Sequence, residues 1–185
     1  MSEDRPTGDR LTVVLDAAYT CLTKYGVRRT TMDDIAGEAG VSRSAVYLQV
    51  RNKDDAFRRL AERLHQQALD RARRAAAADA PPAARIRDIL VAKLDLVLAL
   101  VGDSPHAAEL LDSKARLFGD ICHAFTAELR TILVDQFTLA GAAHPDQAAD
   151  IAITLVIGLE TRPDAAELLA PATDALLRGL IGPHD

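Results

Sequence analysis

Apolar residues recur along this chain at three- and four-residue intervals, without the alternation expected of a half-buried strand. Leu11, Val14, Leu15, Ala18, Leu22 and Tyr25 predict a first helix from about Asp9 to Tyr25, closed by Gly26. Phe57, Leu60, Ala61, Leu64, Ala68 and Ala72 predict a long helix from Lys53 to about Ala78. Ile86, Ile89, Leu90, Leu94, Val97, Leu98 and Val101 mark another over Pro82–Val101. A short helix capped by Ser104 reaches about Leu111, and a long one runs from about Ser113 to Ala140 through Leu117, Phe118, Ile121, Phe125, Leu129, Ile132, Leu133 and Phe137. Pro145 opens a helix that is apolar almost all round. The final helix ends near Ile181, and Pro171 either kinks it or starts it. The chain is therefore expected to be all-α, with about nine helices. A polar arm over residues 1–8 is expected to be frayed and to precede a head over 1–52 and a helical body over 53–185.

Between the first helix and Lys53 the junctions carry the information. Thr31 and Asp34 have capping-box spacing, and Ile35, Ala36 and Ala39 form a short apolar stripe. Gly40 supplies the positive φ that closes a helix, Val41 is placed to fill the corner, and Ser42 is a good N-cap for a helix reaching about Gln49. Two short helices joined by a glycine turn make a helix-turn-helix.

Charge sharpens that reading. The net charge is −5, yet Lys24, Arg28 and Arg29 precede the motif with no acid from Ala17 to Met32. Arg43, Arg51 and Lys53 follow without an acid from Ala39, and beyond Phe137 only Arg162 and Arg178 are cationic. A basic-edged head on an acidic body fits a polyanion at one end. Cys21 and Cys122 lie in helical patterns and are expected to be buried, reduced thiols of a cytoplasmic protein. No apolar run has the length of a membrane span, and no leader is expected before Leu11. No phosphate-binding glycine loop, HExxH or G-x-S-x-G appears, so neither an enzyme nor a cofactor is expected. His106 and Glu109 stand one turn apart without a third ligand, so no metal site is expected.

Gly26, Thr30-Thr31, Ile35-Ala36, Ala39-Gly40-Val41-Ser42, Tyr47 and Lys53 together resemble the DNA-binding signature of TetR-family transcriptional regulators. Gln49-Val50 and Ala56-Phe57 depart from the family pattern. The resemblance implies a dimeric regulator, by family default a repressor, that binds a palindromic operator and is released by a small effector. The residues agree with that implication. Ser42, Arg43, Ser44 and Ala45 open the second motif helix, whose first turn reads base edges, with Arg43 suited to guanine. Thr31, Tyr47, Gln49, Lys53 and Arg28 are candidates for phosphate. A single head reads few bases, so two copies are expected to pair through Ile151, Leu155, Leu159, Leu168, Leu176, Leu177 and Leu180.

The resemblance also implies an effector site among the middle helices. Candidates there are His65, Asp95, Cys122 and Thr126, with Phe118 and Phe125 as walls. The alternative reading is a dimeric helical adaptor that lacks sequence-specific DNA binding.

Overall fold

The structure, a computed structural model, describes residues 7–101, 104–160, 162 and 164–181. All regular structure among them is helical: α1 Thr7–Arg29, α2 Met32–Ala39, α3 Arg43–Tyr47, α4 Lys53–Ala76, α5 Pro82–Val101, α6 Ala107–Leu139, α7 Pro145–Leu159 and α8 Ala165–Ile181. The frayed arm falls mostly on residues 1–6, outside the described residues, while Thr7 and Gly8 already belong to α1.

Among the described residues the elements number eight where about nine are expected, because the short helix after Ser104 and the long helix after it run on as α6. Its break comes at Phe118 (φ −147°, ψ 28°) and not near Ser113. Serine is a good cap but is tolerated inside a helix, so its presence alone does not start a new one. The α8 helix passes straight through Pro171, which is exposed, so this proline does not start it.

Two compact units divide the chain. One takes the chain up to Leu64 together with Leu100–Ile121; the other takes His65–Ala99 and everything from Cys122. In the first, α1 contributes Val14, Leu15, Ala18, Cys21 and Leu22 to a core completed by Ile35, Ala36, Val46, Val50, Ala56, Phe57 and Leu60. Ala56 and Phe57 are both buried, so the phenylalanine fills the space beside the small residue. Tyr25 and Val41, expected inside, are exposed; Val46 and Val50 close the corner instead.

The second unit buries Ile86, Ile89, Leu90 and Leu94 of α5, Leu129, Leu133 and Phe137 of α6, and Ala149, Ala152 and Val156 of α7. Within it Lys93 donates to Glu160 at 2.6 Å in a buried pair, and Arg87 is bonded to Asp174.

Candidate nucleic-acid interface

The α2–α3 corner is built from local chemistry. The Thr31 hydroxyl accepts from the Asp34 amide at 3.1 Å, and the Asp34 carboxylate accepts from the Thr31 amide at 2.8 Å, completing the capping box. Hydrogen bonds from the Thr31 hydroxyl and then its amide hold the Asp34 carboxyl below the usual range. Gly40 closes α2 at φ 65°, ψ 29°, and the Val41 amide reaches back to the Ala36 carbonyl at 3.1 Å. The Ser42 hydroxyl then caps α3 by accepting from the Ala45 amide at 3.2 Å. These junctions fix where the first residues of α3 point.

The exposed face of α3 carries Arg43, Ser44 and Tyr47, with Ala45 half-buried. Val46 anchors the opposite side in the core. Arg43 donates to both carboxylate oxygens of Asp33, at 3.1 and 2.9 Å, and its guanidinium lies 5.6 Å from the Tyr47 ring centroid. The Tyr47 hydroxyl, at 3.4 Å, and the Asp33 charge together raise the Arg43 pKa further. The fork is thus pre-extended across an exposed surface. Leu48, which follows α3, is 80% exposed, and Gln49 beside it is half-buried.

Lys53 stands at the first position of α4, yet its ammonium donates to the carbonyls of Val27 (2.9 Å) and Arg28 (3.2 Å). It thus answers the orphan acceptors at the end of α1, a setting that favours a cation. These two carbonyls account for an ammonium at the start of α4, where the helix dipole alone disfavours a cation. The same end of α1 is met by three groups from the chain around α6. Ser104 donates to the Thr23 carbonyl at 2.9 Å, His106 Nε2 lies 3.2 Å from the Lys24 carbonyl, and Glu109 accepts from the Arg28 amide at 2.7 Å. Gly26 permits this approach, since φ 78°, ψ 172° suits glycine and Glu109 and His106 occupy the space a Cβ would need. The Arg28 side chain stays exposed, 3.8 Å from Glu109. In the sequence His106 and Glu109 read only as an incomplete metal set; their one-turn spacing is the signal for a shared surface contact. No group of three metal-capable side chains occurs among the described residues.

Of the six residues expected around an effector, the second unit gathers four. Cys122 Sγ lies 3.4 Å from His65 Nε2, Phe125 meets the His65 ring edge-on, and the Thr126 hydroxyl donates to the Cys122 carbonyl at 2.8 Å. Phe118 does not join them; it belongs to the first unit, beside Leu22, Val27 and Phe57. Asp95 faces Arg71 at 3.7 Å instead. Along the last two helices Ile151 is exposed and Leu155, Leu168, Leu176 and Leu180 are half-buried, while Leu159 and Leu177 are buried in their own chain. Periodicity cannot tell the inner stripe from the outer one on a helix apolar all round. Ile157, not singled out from the sequence, adds to the exposed apolar surface.

The family description "Bacterial regulatory proteins, tetR family" matches residues 14–60, which span α1 to the first part of α4. The HTH-type transcriptional regulator TtgR of Pseudomonas putida is 28% identical, covering 84% of this chain and 82% of its own. A putative transcriptional regulator from Pseudomonas aeruginosa superposes with a TM-score of 0.76 at 18% identity, over 96% of this chain and 93% of that one. The SmeT–triclosan complex superposes with a TM-score of 0.66 at 21% identity, over 92% and 91%. No helix among the described residues is long and apolar enough to cross a membrane.

Proposed function

The chain belongs to the TetR family of DNA-binding transcriptional regulators, and from that premise we propose that it is a dimeric repressor of a palindromic operator, released by a small effector. The observation that carries this is the α3 face: a capped recognition helix presents Arg43 and Tyr47 outward while Val46 locks it to the head. Arg43 leaves Asp33 to make a bidentate contact with guanine, Ser42, Ser44 and Ala45 meet the neighbouring bases, and Leu48 packs on a thymine methyl. Thr31, Tyr47, Gln49 and Arg28 take phosphates, joined by whatever donor capacity Lys53 retains beyond its two carbonyls.

Two copies pair through the outer stripe of α7 and α8, namely Ile151, Leu155, Ile157, Leu168, Leu176 and Leu180, whose partial exposure supports an uncovered apolar surface. Dimerisation sets the recognition helices about one helical turn of DNA, roughly 34 Å, or a multiple apart. The cluster of His65, Cys122, Phe125 and Thr126 contacts the effector, and the structural likeness to a protein solved with triclosan supports such a role. The effector acts by binding better to the head spacing that does not fit the operator. Selection of bound fragments from genomic DNA, followed by mass measurement of the complex, tests the reading. It should return inverted repeats carrying two chains per repeat, whereas a single chain on an asymmetric site would overturn the dimer and the palindrome.

A further inference from the structure

The two cysteines are the same thiol in opposite settings. Cys21 is fully buried in the first unit's core. There burial, followed by the charges of Glu38 and Asp34, pushes the thiol up to about 11. At neutral pH it is an un-ionised, enclosed S–H. Cys122 is only partly buried, and its Sγ lies 3.4 Å from Nε2 of His65. The imidazole is itself 5% exposed. Its ring stands edge-on to Phe125, centroids 5.3 Å apart at 83°, which fixes the direction of the nitrogen that faces the sulfur. In the tautomer that leaves Nε2 unprotonated, a partly exposed cysteine held against this nitrogen is the arrangement that activates a thiol nucleophile.

We propose that Cys122 and His65 form a nucleophilic thiol–imidazole site that is modified covalently by small, uncharged α,β-unsaturated carbonyl compounds. His65 takes the Cys122 proton. The thiolate attacks the β-carbon, forming one S–C bond, while the alkene π pair moves toward the carbonyl to give an enolate. The imidazolium then returns its proton to the α-carbon. Nothing leaves, and no oxidant or reductant is consumed. The Phe125 ring favours an apolar reagent, and the Thr126 hydroxyl is engaged with the Cys122 carbonyl. The proposal rests on the reading of this cluster as the effector site and gives that site a chemical class.

The test treats the full chain with limiting N-ethylmaleimide at about pH 6 and follows the adduct at each cysteine by peptide mass spectrometry. Cys122 should be labelled on the order of tenfold faster than glutathione under the same conditions, because a larger thiolate fraction outweighs the lower intrinsic nucleophilicity. Cys21 should stay unlabelled until denaturant is added. His65→Asn should bring Cys122 down to the glutathione rate with the helical circular dichroism and the unfolding midpoint of the chain unchanged, which shows that the second unit, where both residues lie, has stayed folded. A wild-type Cys122 no faster than glutathione would overturn the proposal without recourse to any variant, as would an unchanged rate in His65→Asn. Either failure leaves operator binding, read by DNA titration, unaffected.

Discussion

The α2–α3 corner and the α5–α7 region of the second unit are each bridged by an ion pair, and the two pairs serve opposite ends. Arg43 and Asp33 keep side-chain exposures of 57% and 67%; Lys93 and Glu160 keep 6% and 8%. In water an exposed pair is worth about 0–1 kcal/mol, so Arg43 can change partner at little cost. A buried pair cannot: each charge has been stripped of water, and neither can be withdrawn from the other cheaply. The DNA contact proposed for Arg43 needs a charge stored in the first way. A charge that must hold helices in one register is stored in the second.

The largest effect expected from breaking this comparison is at the buried end. Lys93→Met removes the ammonium from beside a buried carboxylate and should cost about 3–5 kcal/mol, read by denaturant unfolding. Lys93→Met with Glu160→Leu should recover most of that loss. Next comes the clamp on the end of α1. Gly26→Ala forces an alanine into φ 78°, ψ 172° and against Glu109, at about 1–3 kcal/mol. At the exposed end, Asp33→Asn should leave stability within about 0.5 kcal/mol and tighten DNA binding by up to roughly fivefold, because Arg43 no longer has to leave a carboxylate. A Asp33→Asn chain that unfolds more easily would place this pair with the buried one.

The smallest effect is a pH dependence. Arg58 donates to Asp120 at 3.0 Å and, foremost among the causes, holds its carboxyl at about 2 against an ordinary 3.8. A depressed carboxyl adds stability above its unfolded pKa and loses it as pH falls through the folded one. The contribution of this pair is therefore complete above about pH 4 and disappears toward pH 2. Unfolding of Asp120→Asn followed across that window should show a shallower decline than wild type.

What the chain reveals before folding follows from distance in sequence. The Thr31–Asp34 box, the Gly40 stop and the Ser42 cap act across five residues or fewer, and each appears in place. The partner of Arg43 lies ten residues back on another helix, and Lys53 reaches carbonyls 25 and 26 residues away. Those contacts depend on how helices cross, which periodicity does not encode. For the same reason the sequence offers Phe118 and Phe125 alike as walls of one effector site, although the two belong to different units. Leu159 and Leu177 were grouped with Ile151 because all sit on strongly apolar helices, and only packing separates inner from outer stripes.

Whether Arg43 is a base reader stored on an exposed carboxylate is decided by titrating Arg43→Ala against the selected operator and a scrambled duplex at several salt concentrations. A base reader gives a loss of about 1–3 kcal/mol on the operator, confined largely to one base position in each half-site, with little loss on scrambled DNA. An equal loss on both duplexes, with a flatter salt dependence, would make Arg43 a phosphate contact and contradict it.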